Sequence, residues 1–456
     1  MDNKLTFKSY ALIGMMLFAL FFGAGNLIFP AQLGQNAGTN VGWATLGFLI
    51  TGVGLPLLGI LAIGFSKSND LRDLSSRVHP MFGIIFTSLL YLTIGPFFAL
   101  PRTGAVSFEV GITPFIGESS AVIGLLVFSI IFFGISYWLS LNPTEIVNKV
   151  GKFLSPIILI TLLLLLIMVF IQPMGTPQAP LGGYGDNAFL TGFTEGYNTM
   201  DALASLVFGI IVIAAIRKLG VTSSKGILKA TLKSGAIAAF LLATVYAGIA
   251  YLGATSTSAF GLFETGGPVL SSAASYYFGT FGTALLTIII TVACLTTAVG
   301  LTVANAGFFQ KLMPRISYKT YVAIFSLFSL IVTNAGLANI IAFSIPVLMF
   351  LYPLAIVLIL LAFVSPLFKH DRLVYASTIA VTFLISIVDG LNALTGSLGY
   401  ANPAWLQSIV DLYGAILPLY SEGLGWLIPA MIVILITGSV VRIRGNADVA
   451  EAQSET

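Results

Sequence analysis

Apolar residues in this chain neither alternate nor keep to one stripe of a helix. They fill whole stretches of about 20 residues, the length a helix needs to cross a bilayer core of roughly 30 Å. Twelve such stretches can be drawn, at 9–34, 42–65, 81–101, 120–141, 153–172, 189–216, 232–253, 279–308, 318–334, 338–364, 373–394 and 424–441. Each is too long and too uniformly apolar for a barrel strand, which would run about ten residues with alternating polarity. The pattern predicts an all-α integral membrane protein with twelve transmembrane helices, residues 1–456 forming one membrane domain. The first stretch exceeds a signal-peptide core and no small-residue cleavage site follows it, so it is expected to stay.

Composition agrees. Of 456 residues, 57% are hydrophobic and only 8% are charged, against roughly a quarter charged in a soluble domain. That excludes a soluble enzyme, a nucleic-acid binder and a disordered scaffold. A single cysteine, Cys294, rules out an internal disulfide framework, and His79 and His370 lie in different loops, which argues against a His-rich metal site. The net charge of +3 matters less than its placement. With a cytoplasmic N-terminus, every Lys and Arg except Arg102 falls on the inner side, as the positive-inside rule demands, and the C-terminus is cytoplasmic too. Counting 395–423 as a further span would put Arg442 and Arg444 outside, so this segment, with Asp411 and Glu422, reads as an outer loop with a short surface helix. Segments 173–188 and 254–278 carry no Lys or Arg. The first is expected to be a plain connector; the second is either a partly helical lid or a loop resting on the surface. The polar tail after Arg444 is expected to be disordered.

The informative positions are those that interrupt helices. The first span contains Phe22-Gly23-Ala24-Gly25-Asn26-Leu27-Ile28-Phe29-Pro30. Glycines beside an asparagine at mid-membrane loosen the helix and free backbone groups, which cannot face lipid. A helix restarting there presents N–H groups and a positive dipole end to a carboxylate, and the carbonyls before it suit a small cation. Close packing through small residues is the competing explanation. The sixth span carries Glu195-Gly196-Tyr197-Asn198-Thr199-Met200-Asp201-Ala202. Asp201 is expensive inside a bilayer and hence a functional candidate, unless it merely caps a helix at the outer interface. Spans one to five (9–172) and six to ten (189–364) are blocks of similar length, and five crossings are odd, so the second block inserts inverted. Paired broken helices in inverted halves point to a secondary transporter with a midplane site. In the eighth span Thr296 and Thr297 either bond back to their own helix or complete an oxygen shell around Na⁺.

Together the Phe22–Pro30 run, Tyr197-Asn198-Thr199-Met200-Asp201-Ala202, Leu295-Thr296-Thr297-Ala298-Val299-Gly300 and Leu100-Pro101-Arg102-Thr103-Gly104-Ala105 resemble the bacterial branched-chain amino acid:cation symporter family, the system II carriers. The resemblance covers essentially the whole chain. It implies the LeuT-type fold, a 5+5 inverted repeat with two trailing helices (373–441), in a bacterial cell membrane. It implies a substrate site at Gly23, Ala24, Gly25, Asn26, Tyr197, Asn198 and Thr199, with Ala24 and Gly25 offering amides to a carboxylate. Carbonyls of Ala19 and Phe22 with hydroxyls of Thr296 and Thr297 would hold Na⁺, and Asn26 matches a side-chain ligand of a further sodium site. Arg102 would form an outer gate with Glu109 or serve as an interfacial anchor.

Leucine, isoleucine and valine would then be imported with Na⁺, their tails meeting apolar residues of spans 3, 6 and 8. Proton coupling through Asp201 is the alternative. Remote alternatives are a channel and an intramembrane aspartyl protease using Asp201 and Asp389. Beyond the substrate, the coupling ion and the lipid bilayer, no nucleic acid and no obligatory protein partner is expected.

Overall fold

The computed structural model describes residues 5–116, 120–142 and 146–454. Every stretch predicted to span is helical, and no strand occurs among the described residues. The first stretch is split into α1 (Phe7–Phe21) and α2 (Ala24–Ala37). The second comprises α3 (Val41–Leu49) and α4 (Leu55–Phe65), joined by a π-helical turn over Ile50–Gly54. A short α5 (Leu71–Ser76) leads to α6 (Pro80–Leu92) and α7 (Ala99–Gly111), which form the third; α8 (Ala121–Leu141) and α9 (Ile146–Ile171) are the fourth and fifth. The sixth is split again, into α10 (Gly183–Glu195), a 3₁₀ turn over Gly196–Thr199 and α11 (Asp201–Lys218). Then come α12 (Ser224–Phe260), α13 (Gly266–Leu312), α14 (Tyr318–Thr333), α15 (Leu337–Val364) and α16 (Arg372–Ser397). α17 (Ala404–Ile416) is the short helix expected in 395–423, and α18 (Leu427–Ser454) is the last described element. Among the described residues seven helical runs are long and apolar enough to cross a bilayer, eight when α10 and α11, bent by 49°, are taken as one.

Side chains sort as a lipid-immersed bundle requires. Ile130 and Ile131 of α8, Phe240 of α12, Ile288 of α13 and Leu435 of α18 are among the large apolar residues left exposed, a surface that suits acyl chains and would be an aggregation hazard in water. Helix starts are capped locally: Ser223, Ser317 and Asp371 accept from the amides of Gly226, Thr320 and Leu373 at 3.0, 3.2 and 2.7 Å, satisfying donors that a first turn leaves open.

Inside, glycines set the helix contacts. A Cβ on Gly34 of α2 would land on the Ala250 carbonyl of α12, and one on Gly253 of α12 on the Ala31 carbonyl of α2. The same reciprocal contact joins α3 and α10, where Gly47 lies on the Phe189 carbonyl and Gly192 on that of Ala44. α1 also packs along α12, and α11 along α4. One half of each broken helix, α2 and α10, is thus seated through bare backbone on a neighbouring helix.

The structure departs from the sequence expectations in several places. The third stretch is interrupted as well, at Gly95 (φ −99°, ψ −124°) and Pro96, where Asn305 of α13 fills the space beside the glycine. The helical alternative for 254–278 holds: Gly279, at φ 60°, divides α13 so that its first part forms an arm, and Gly266 sits on the Ile28 carbonyl of α2. Segment 173–188 is no plain connector. Gln178 accepts from the Thr39 amide at 2.9 Å, and Asn36 accepts from that of Leu181 at 2.8 Å, tying the segment to the end of α2. The tail expected to be disordered continues α18 to Ser454, in keeping with its alanines, glutamate and glutamine, which are good helix formers. Of the basic residues used to orient the chain, Lys4 lies outside the described residues, as do the side chains of Lys149, Lys152 and Arg444.

Candidate functional site

The first break is built by two residues. Phe22 turns extended (ψ 93°) and Gly23 follows (φ −124°, ψ −166°). In an unbroken helix the Gly23 amide would bond the Ala19 carbonyl. Here it donates to Asn26 Oδ1 at 2.9 Å, which releases Ala19 to join the open carbonyls of a helix end, while α2 begins with its first amides unclaimed. The second break turns on Met200, which adopts a left-handed conformation (φ 63°, ψ 9°). A non-glycine residue held there stores of order 1–3 kcal/mol of strain, a feature that concentrates at working sites. Thr199 Oγ1 accepts from the Asp201 amide at 3.3 Å and so caps the restart of the helix.

Asn26 joins the two breaks. Its Nδ2 donates to Asp201 Oδ2 and to Tyr246 Oη, and Tyr246 donates to the same carboxylate oxygen at 3.0 Å. Asp201 opens α11 and is 3% exposed. Tyr197 stacks on Tyr352 with ring centroids 4.3 Å apart, and Asn198 Nδ2 donates to Glu195 at 3.1 Å.

Arg102 is not where the sequence placed it. It is 3% exposed, and its Nη1 and Nη2 donate to the carbonyls of Asn198 and Thr199 at 2.7 and 3.3 Å. The guanidinium carbon lies 4.9 Å from the Phe29 ring centroid. A Cβ on Gly25 would stand 2.8 Å from Nη2, so glycine is what admits the guanidinium against α2. The expected pairing with Glu109 is absent: Glu109, seven residues or about 10 Å further along α7, instead accepts from Thr265.

Thr296 and Thr297 both donate to the Ala293 carbonyl, at 2.8 and 3.1 Å. Back-bonding does not exclude a cation, because a hydroxyl that donates behind itself keeps oxygen lone pairs for a second partner. Thr297 reaches the first break: its Cγ2 and Oγ1 lie 3.3 and 3.6 Å from where a Gly23 Cβ would stand. The open carbonyls at the end of α1 and the Thr297 hydroxyl near Gly23 are hard oxygen donors, of the kind that suits Na⁺.

Gly23, Ala24, Gly25, Asn26, Arg102, Thr199, Asp201 and Thr297 share one cavity, whose apolar lining includes Ile94 of the third stretch, Ala204 and Phe208 of α11 and Leu301 of α13. Its volume is about 40 Å³, room for about three waters; admitting an amino acid side chain requires the walls to part. Tyr197, Asn198, Ala19, Phe22 and Thr296 stand outside the lining, and Glu109 lines a separate hollow with Glu264 and Asn339. Sequence reasoning missed Tyr246 and gave no role to Met200 and Phe29, although both lie in the quoted motifs. Arg102 had announced itself as the lone cation on the outer side of the charge map, but not as a residue of this cavity.

Two cut helices whose ends face one buried polar cavity, within an apolar helical bundle, define a membrane transport protein of the LeuT-type fold. Solved structures agree on the fold: a manganese transporter from Eremococcus coleocola has a TM-score of 0.59 at 16% identity, covering 97% of each chain. Mhp1 in its inward-facing conformation has a TM-score of 0.55 at 15% identity, covering 96% of this chain and 91% of its own. The sequence pattern of the branched-chain amino acid transport protein family matches residues 6–444, and the chain belongs to that family. Its relatives include the branched-chain amino acid permease BrnQ of Bacillus subtilis, 49% identical over 94% of this chain and 96% of that protein. Another is the branched-chain amino acid transport system 2 carrier protein of Pseudomonas aeruginosa, 42% identical over 95% and 96%. The protein is a transporter and not an enzyme, which disposes of the protease alternative for Asp201 and Asp389.

Proposed function

We propose that this protein imports leucine, isoleucine and valine across a bacterial cell membrane, coupled to Na⁺ and by alternating access. The single observation that carries the reading is the Asn26–Asp201 bond, which brings the two helix breaks to one cavity. In this account the chain makes twelve crossings, with both termini cytoplasmic. The repeats are 9–172 and 189–364, and 373–441 supplies accessory helices. The exchange in packing supports the repeat: broken helix one rests on α12 as broken helix six rests on α3 and α4, the relation a two-fold operation would produce.

Ala24 and Gly25 present amides to the substrate carboxylate, aided by the positive end of α2. Gly23 and Asn26 hold the break open, and Tyr197, Asn198 and Thr199 shape the opposite wall. Ile94, Phe208 and Leu301 take the tail. An apolar pocket separates neighbours differing by one methylene by only about 1–3 kcal/mol, so one carrier serves all three substrates. Ala19 and Phe22 carbonyls with Thr296 and Thr297 hydroxyls bind Na⁺, tying the end of α1 to α13 and favouring the substrate-ready arrangement.

Burial of Asp201 in the same cavity supports a second reading, in which that carboxylate carries H⁺ in place of Na⁺. Radiolabelled leucine uptake into proteoliposomes decides between them. Concentrative uptake under an imposed Na⁺ gradient, lost in Thr297→Ala, is expected; uptake driven by a pH gradient alone would overturn the sodium assignment. Failure to concentrate leucine under either gradient would favour a channel.

A further inference from the structure

Arg102 and Asp201 are the charged side chains lining the cavity, and each is 3% exposed. A buried cation and a buried anion in one cavity would be expected to close on each other, because a lone charge in a poorly solvated site is costly. Here they do not. Arg102 directs both terminal nitrogens at the carbonyls of Asn198 and Thr199 and leaves Nε without a partner. Asp201 is held through Oδ2 by Asn26 and Tyr246, both neutral. The surroundings reinforce the separation. The guanidinium lies against Gly25, in the first turn of α2, so a fixed cation and the positive end of a helix stand side by side, and both favour an anion.

We propose that Arg102 and Asp201 are the two poles that recognise a zwitterionic head group. Arg102, with the leading amides of α2, takes the α-carboxylate; Asp201 takes the α-ammonium. The assignment rests on the transport reading above and gives the reason both charges must sit on one substrate. A ligand bearing one charge leaves the opposite pole buried and uncompensated, whereas an amino acid answers both without adding net charge. It also gives Asp201 a role other than proton carriage and Arg102 a role other than gating.

The test is binding to purified full-length protein in nanodiscs containing Na⁺. The ligands are leucine, leucinol, which lacks the carboxylate, and 4-methylpentanoate, which lacks the ammonium. The proteins are wild type, Arg102→Gln and Asp201→Asn. Wild type is expected to bind leucine roughly 10- to 100-fold more tightly than either analogue. Arg102→Gln should lose the preference over leucinol and keep the preference over 4-methylpentanoate; Asp201→Asn should do the reverse. A merely structural role for Arg102, bracing Asn198 and Thr199, would weaken all three ligands alike, and that uniform loss would overturn the proposal. Should Arg102→Gln fail to fold, Arg102→Lys and the wild-type ligand series still decide, since equal wild-type affinity for leucine and leucinol overturns it. If wild type does not bind leucine at all, the transport reading itself fails, a result distinct from either of these.

Discussion

Gly25 is the more tightly enclosed of the two glycines at the site. A methyl there would meet Arg102 Nη2 at 2.8 Å and the Phe29 ring at 3.2 Å. The guanidinium cannot swing aside cheaply, being held by two carbonyls. Gly25→Ala is therefore expected to fold and to lower leucine uptake at least about tenfold, because displacement of a recognition group by an ångström is enough for such a loss; uptake beside a thermal melt checks it, and unchanged uptake contradicts it. Asn26 is the other pivot. Asn26→Leu keeps the branched outline, at a larger volume, but strips a donor from Asp201 and Tyr246 and the acceptor from the Gly23 amide. Each buried group left unpaired costs about 1–3 kcal/mol. The expected result is a lower melting temperature together with lost leucine binding. At this scale the sequence was partly legible. Gly23, Gly25, Asn26 and Asp201 stood out because they are wrong for a lipid-crossing helix, whereas Tyr246 looked like any tyrosine in an apolar span, and only the fold brings it to Asp201.

Among elements, the account depends on backbone resting on backbone. Gly34→Ala would drive a Cβ into the Ala250 carbonyl, an atom that cannot move without shifting α12. Overpacking of this kind costs about 1–3 kcal/mol, so a lower melting temperature and loss of uptake are expected. Gly134→Ala in α8, where nothing lies within 4 Å, should leave both unchanged. A second junction lies between the α4–α6 connection and the loop joining α15 to α16. Arg77 Nη1 lies 3.3 Å from His370 Nδ1, which also meets Ser365. Burial, then Arg77 and Lys67, hold the imidazole below its usual value of 6.5. The folded protein thus favours neutral His370, so this contribution is complete above that value and declines as pH falls through it. From about pH 7 to about pH 5, the melting temperature of wild type should fall further than that of His370→Gln; parallel curves would contradict this. Helix positions were readable from apolar length alone, but the break at Gly95 was not, and the arm ending at Gly279 was only one of two readings. Gly-Pro within a span permits a kink without requiring one, and Asn305, which occupies the space beside Gly95, lies far along the chain.

For the whole molecule the sequence conveyed class and membership before any geometry, because a bilayer leaves few options for the backbone. It misplaced Arg102. The charge map assigns residues to sides of the membrane, and a guanidinium buried among carbonyls obeys no such rule. Cooperativity belongs to this scale. If Na⁺ at Ala19, Phe22, Thr296 and Thr297 favours the substrate-ready arrangement, then Na⁺ raises leucine affinity and leucine must raise Na⁺ affinity by the same factor. Titrations in both orders should return one factor, and independence of the two ligands would remove sodium from the mechanism.

If the breaks around Gly23–Asn26 and Tyr197–Asp201 together hold the substrate, a density map of the protein with leucine and Na⁺ will show leucine between Gly25 and Asp201. Its head group will lie within hydrogen-bonding distance of both helix ends. Continuous helix through Gly25 and Asn198, or leucine seated elsewhere, would contradict it.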